Sequence, residues 1–161
     1  MAYQSVWYFS DLPKDAVDLI EKELTEESTI SNDSWVSGLI WHYILKANRE
    51  NFLFDLTDFD KDSIKYRTYN EGDYETWYCD AKPILDDENV CKLSFVVQLS
   101  DFNDYEGGNV QIMDEGGGKY FIPRKRGTVA LFDSRTSHRV LKVTKGMRKS
   151  LVGWTVGPRW K

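Results

Sequence analysis

Histidine is the scarcest chemistry-bearing residue in this chain of 161 amino acids: His42 and His138 are the only two. A site built from three histidines is thereby excluded. Cysteine is equally rare, with Cys79 and Cys91 alone, which rules out an extensive disulfide framework and reads as two free thiols in a reducing compartment. There are four prolines, no internal repeat and no stretch rich in Pro, Gly and Ser, so nothing marks a linker, and one domain over residues 1–161 is expected. No run of about 18 apolar residues is present, and "MAYQSVWYFSDLPKD" lacks the basic flank and apolar stretch of a secretory leader. The expectation is no membrane span and a cytoplasmic location. Basic residues number 21 against 26 acidic ones, and the net charge of −5 opposes indiscriminate nucleic-acid binding, which rests on neutralising phosphates. The local cluster "PRKRG" at 123–127 reads as solvated surface at a turn.

What is present is apolar and aromatic. Hydrophobic residues make up 41% of the chain and aromatics 14%, with six tryptophans, which excludes disorder and predicts a folded interior. A β-like start at 5–9 precedes "SDLPKDAVDLIEKEL", where Ser10 or Asp11 offers a cap, Pro13 sits in the first turn and Leu12, Ala16, Leu19 and Ile20 form an apolar stripe. A second helix is predicted after Asn32 or Asp33, with Val36, Leu39, Ile40, Tyr43, Ile44 and Ala47 inward. From Phe52 onward the pattern becomes short β-rich runs: "FLFDLT", "SIKYRTY", "YETWYCD", "CKLSFVVQLS", "GNVQIM", "KYFIP", "GTVALFD", "HRVLKVT" and "RKSLVGWTV". Roughly eight strands after two helices predict an α+β fold, a β-sandwich or jelly roll with the helices packed on one sheet. The glycines of "EGGNVQIMDEGGGKY" read as turns rather than a phosphate loop, because no P-loop lysine follows them.

One chemical constellation stands out near the C-terminus. "HRVLKVTKGMRKSLVGW" can be built as a hairpin turning at Thr144, Lys145 and Gly146, which puts His138 and Arg148 on one face of one sheet. Their offset would be about 13 Å at roughly 3.3 Å per residue. A small dicarboxylate held by a metal on His138 at one end and by the Arg148 guanidinium at the other would bridge that gap, with Ser150 adding a hydroxyl. Taken alone, a strand histidine ten residues before an arginine is more often structural than catalytic. Trp77, Trp154 and Phe132 read as core rather than as a substrate mouth.

The order Tyr69, Gly72, Tyr74, position 78, Asp80, then "GGNVQI", "RGTVALFD" and "SHRVLKVTKGMRKSLVGW" resembles the iron- and 2-oxoglutarate-dependent dioxygenases of the prolyl-4-hydroxylase-like group. The resemblance implies a double-stranded β-helix core over residues 51–161, with 1–50 as mainly helical support. It implies Fe(II) held by an HxD pair and a distant histidine, 2-oxoglutarate as cosubstrate, dioxygen as oxidant, and ascorbate as a candidate reductant. By position, Asp80 and His138 match metal ligands, Arg148 matches the residue holding the far carboxylate, and Ser150 and Tyr69 look like its companions. The implied reaction is hydroxylation of a protein or peptide side chain, prolyl being one candidate, and the oligomeric state is left open.

The chain departs from the family at the first ligand, where HxD becomes Tyr78-Cys79-Asp80. Tyr78 either binds iron as a phenolate or is a packed aromatic that leaves Asp80 and His138 to hold the metal. Cys79 should point to the opposite face, and His42, in the second helix, reads as an ordinary helical side chain. The alternative function is therefore a catalytically impaired binding module that keeps the fold and the 2-oxoglutarate pocket.

Overall fold

The structure is a computed structural model that describes residues 5–24, 29–81 and 88–160. Two helices precede most of the strands. Helix α1 (Lys14–Glu23) starts directly after Pro13, which holds the first-turn position without a capping side chain. Helix α2 (Trp35–Ala47) is capped by Ser34, whose hydroxyl accepts from the Val36 amide, and runs on into a π-helical turn at Asn48–Phe52. Neither Ser10 nor Asp11 caps α1, because both lie in the preceding strand.

The main sheet has six strands. Strand β1 (Trp7–Asp11) forms one edge and is followed by β9 (Thr128–Asp133), β5 (Asn89–Gln98) and β12 (Arg148–Pro158). Beyond β12, its far side pairs in turn with β3 (Lys65–Tyr69) and the two-residue β2 (Asp58–Phe59). The facing sheet is ordered β4 (Glu75–Tyr78), β10 (Ser137–Val140), β7 (Val110–Met113) and β8 (Lys119–Phe121). A two-stranded ribbon pairs β11 (Val143–Gly146) with β6 (Tyr105–Gly107). This is the expected α+β jelly roll. The first fifty residues give it more than helical support, since β1 is a full edge strand of the main sheet.

Period-two alternation along the central strands divides the interior into two layers. Leu93, Phe95, Val97 and Leu99, with Val129, Leu131 and Leu151, meet Val17 and Ile20 of α1 and Val36, Ile40, Ile44 and Ala47 of α2. The intervening positions face the other sheet, where Tyr69, Val96, Ala130 and Phe132 pack on Val110, Ile112, Val140 and Val143. The helices thus cover one face of the main sheet and leave its other face to line the space between the sheets. On α1 the buried side chains are Val17 and Ile20, whereas Leu19 is 52% exposed, so the stripe lies one position round from the one read in the sequence.

Three further expectations are corrected by the fold. "FLFDLT" is not a strand, because the π-helical turn consumes its start and Leu53 takes a left-handed conformation that ends the run. Strand β6 has no counterpart among the predicted runs. The hairpin at 138–154 does not form: β10 joins the smaller sheet, β11 pairs with β6, and β12 pairs with β5 in the main sheet. Gly146 is the hinge between these partners. Its positive φ of 75° and the 2.1 Å that would separate an added Cβ from the Asp104 carbonyl make it a crossing point that tolerates no side chain. Pairing β12 with β5 gives each of the two longest strands a long neighbour, which a local hairpin would not.

No helix among the described residues is long and apolar enough to cross a membrane.

Candidate active site

Between the sheets lies a cavity of about 260 Å³, lined by residues of both, including His138, Asp80, Tyr78, Tyr69 and Arg148. His138 and Arg148 therefore do share a cavity, but they reach it from facing sheets rather than from one face of one sheet.

His138 sits on β10 between β4 and β7, buried and with its ring 4.8 Å from that of Phe132. Its Nδ1 lies 3.2 Å from the Thr136 carbonyl, an acceptor, so the proton belongs on Nδ1 and the Nε2 lone pair is left free. That Nε2 is 3.9 Å from Oδ2 of Asp80. Burial holds the imidazole pKa below its ordinary value, with the Asp80 charge opposing the shift. Neutral, directed imidazole is the form that binds a metal.

Asp80 lies just beyond the end of β4 and is fixed from two directions. Its amide donates to the Ser134 carbonyl at 3.1 Å, and its Oδ2 accepts from Ser94 Oγ at 2.6 Å, with Ser134 Oγ a further 2.9 Å from Ser94 Oγ. Ser94 projects inward from β5, so the carboxylate is anchored across the sandwich.

At the other end, Arg148 is 2% exposed. Its Nε donates to Gln98 Oε1 at 3.2 Å, Gln98 in turn donates to the Tyr105 hydroxyl at 2.6 Å, and the guanidinium lies 5.4 Å from the centre of the Tyr69 ring. Among the described residues no carboxylate pairs with it. Burial accordingly lowers its pKa from the usual arginine value. A buried cation without an anion is costly to maintain, and a bound carboxylate would offset that cost. Ser150, two residues along the same strand, is fully buried but does not line the cavity, and among the described residues its Oγ has no hydrogen-bond partner. Arg148, which does line the cavity, suits an anionic ligand.

Tyr78 stands directly opposite His138 in the β4–β10 register, and the two rings lie against each other at a tilt of 52°, with centroids 4.2 Å apart. Tyr78 is 41% exposed overall, yet desolvation of its cavity-facing part, followed by the Glu75 charge, pushes its pKa up, which keeps the phenol neutral. Tyr69 behaves alike: burial and the Glu75 charge raise its pKa to about 12. Cys79 is exposed but borders the cavity between Tyr78 and Asp80 instead of lying wholly on the opposite face, whereas His42 is exposed on α2, edge-on to Tyr43, outside the cavity.

The family model described as the 2OG-Fe(II) oxygenase superfamily matches residues 64–156, more than half of the chain and every strand that builds this cavity. The chain belongs to the 2OG-Fe(II) oxygenase superfamily. A PKHD-type hydroxylase of Synechococcus sp. strain CC9311 is 29% identical over 147 residues, covering 91% of this chain and 56% of that protein. Another, from Synechococcus sp. strain JA-2-3B'a(2-13), is 34% identical over 116 residues, covering 69% and 51%. The chain thus spans about half the length of these curated relatives. Among solved structures, a Pseudomonas putida prolyl-4-hydroxylase superposes with a TM-score of 0.76 at 20% identity, covering 98% of this chain and 95% of that one. The viral collagen prolyl hydroxylase of Paramecium bursaria Chlorella virus-1, in a 2OG complex, gives 0.71 at 18% identity, with 98% of both chains covered. These likenesses carry the fold.

Within this oxygenase fold, the residues present fit the metal incompletely. No cluster of three His, Cys, Asp or Glu side chains occurs among the described residues, so Asp80 and His138 stand as a two-donor set. Several positions that shape the site are not apparent as motifs. Ser94 and Gln98 were visible in principle as polar residues four apart, hence on one face, of an otherwise apolar strand. Glu75 had no such signal, because it enters the cavity through an irregularity in the strand pairing.

Proposed function

We propose that this oxygenase-family chain is a 2-oxoglutarate-dependent hydroxylase of a protein or peptide side chain, with prolyl residues among its candidate substrates. The observation that carries the reading is the buried Arg148 guanidinium without a carboxylate partner, placed in the same cavity as the free Nε2 of His138 and the Asp80 carboxylate. Arg148 and Tyr69 bind and orient the far carboxylate of 2-oxoglutarate. Asp80 and His138 hold the metal, and Tyr78 remains a neutral phenol packed on His138. A bound ferrous ion would supply the coupling of 2-oxoglutarate decarboxylation by dioxygen to C–H hydroxylation. The protein side of the reaction is positional: Thr136 fixes the imidazole tautomer, Ser94 aims the Asp80 carboxylate, and Phe132 packs against the His138 ring. Ascorbate is the reductant to supply in assays.

Purified protein with Fe(II), ascorbate and 2-oxoglutarate should release succinate above a no-enzyme control, and more in the presence of an accepted peptide. No succinate with any peptide, in a protein that still binds 2-oxoglutarate, would favour the second reading.

That second reading is a binding module that has lost efficient turnover. The two-donor metal set among the described residues and the raised pKa of Tyr78 favour it, since a neutral phenol is a poor replacement for imidazole. Tyr78→His separates the two readings: restored turnover identifies the substitution as the lesion.

A further inference from the structure

Glu75 is a charged group in the cavity that neither the metal pair nor the carboxylate anchor uses. In the β4–β10 pairing, His138 opposes Tyr78 and Val140 opposes Glu75, so β4 advances three residues where β10 advances two. This bulge turns both Glu75 and Tyr78 inward, although an odd spacing in a regular strand would place them on opposite faces. Glu75 consequently lines the same cavity as Arg67, Tyr69, Tyr78 and Arg148. Its Oε1 lies 3.4 Å from Nη1 of Arg67, and its charge raises the pKa of both Tyr69 and Tyr78, which line the cavity beside it. Tyr69 is also the ring against which the Arg148 guanidinium lies. A carboxylate held this close to the anchor competes with any second carboxylate that comes to it.

We propose that Glu75 is a specificity-determining residue that weakens the pocket for dicarboxylate 2-oxo acids relative to those with a single carboxylate. The inference rests on the reading of Arg148 and Tyr69 as the far-carboxylate anchor. 2-Oxoglutarate must settle its second negative charge beside Tyr69 in the field of the Glu75 carboxylate. A 2-oxo acid without the second carboxylate, such as 2-oxobutyrate, does not meet that cost. Neutralising Glu75 removes the repulsion and releases Arg67, adding positive potential at the same end of the cavity.

The test is a binding titration of the full chain loaded with manganese(II), followed by tryptophan fluorescence, with 2-oxoglutarate and 2-oxobutyrate as probes. Glu75→Gln is expected to tighten 2-oxoglutarate about tenfold, the scale of one like-charge contact at partial burial, and to leave 2-oxobutyrate essentially unchanged. Glu75→Asp, which keeps the charge on a shorter arm, is expected to give an intermediate 2-oxoglutarate affinity and serves if the glutamine variant does not fold. Unchanged or weaker 2-oxoglutarate binding in these variants, or equal tightening of both probes, overturns the proposal while the anchor reading stands. Wild type and Glu75→Gln both failing to bind 2-oxoglutarate overturns the anchor reading itself, and this proposal with it.

Discussion

The Tyr78 ring lies tilted against the His138 ring, with centroids 4.2 Å apart, from the position on β4 directly opposite in register. An imidazole at position 78 would stand beside the second histidine and the Asp80 carboxylate, so the strand pairing retains the place of a third donor. Tyr78→His is therefore expected to tighten Mn(II) or Fe(II) binding by at least about tenfold, within the range by which small changes around metal ligands alter affinity. A metal titration read by electron paramagnetic resonance checks this. If metal affinity and turnover both stay at wild-type levels, position 78 is not what limits the site.

Arg148→Met should separate binding from stability. Replacing a buried, unpaired cation by an apolar side chain of similar length is close to neutral for folding, whereas losing the anchor removes a charge-assisted contact. The expected loss is about 2 kcal/mol or more, roughly thirtyfold or greater in 2-oxoglutarate affinity. Calorimetric titration together with a thermal melt tests both halves of the statement.

Acid should act first through His138. Burial places its folded pKa below the unfolded value of about 6.5, so the neutral ring's contribution to stability is fully present above that value. It is lost as the pH falls toward and through the folded pKa, when protonation has to occur in the buried site. The melting temperature should therefore fall more between pH 7 and pH 5 in wild type than in His138→Gln, and metal affinity should fall over the same window. Parallel melting curves for the two proteins would contradict the assignment.

Alkali should expose Tyr69 in the opposite sense. Its pKa is raised to about 12, so the stability of its neutral form is complete below about 10 and is lost as the pH rises through the folded value. Ultraviolet titration should show two late-ionising tyrosines, Tyr69 and Tyr78, one of which Tyr69→Phe removes, and Glu75→Gln should shift both to lower pH.

Phe132 connects the core to the site. It is 1% exposed and packs on His138 from β9. Phe132→Ala should cost about 3–5 kcal/mol, the usual range for removing a buried aromatic, and should also loosen the imidazole. A denaturant midpoint combined with the metal titration checks the two effects.

Much of this was legible without coordinates because alternation and helical spacing are local. The strand carrying Tyr69, the inward face of α2 and the run from Thr128 to Asp133 follow from side-chain periodicity, and the family resemblance named Asp80, His138 and Arg148 together. The hairpin at 138–154 was misread for an equally physical reason. Parity within one stretch says which residues share a face only if the stretch stays in one sheet, and Gly146 sends the chain to another. His138 and Arg148 still meet, because two facing sheets present their inner sides to the same cavity.

By itself, the amino-acid sequence determined most element types, the α+β class, and the limited donor inventory with its two histidines. Those properties depend on residue identity and short spacing. Only the tertiary structure decided that, among the described residues, Arg148 is buried without a carboxylate and Ser150 is left without a partner, and that Glu75 enters the cavity. Each depends on what approaches from a different strand, and a bulge of one residue in β4 was enough to reverse the face on which a charge lies.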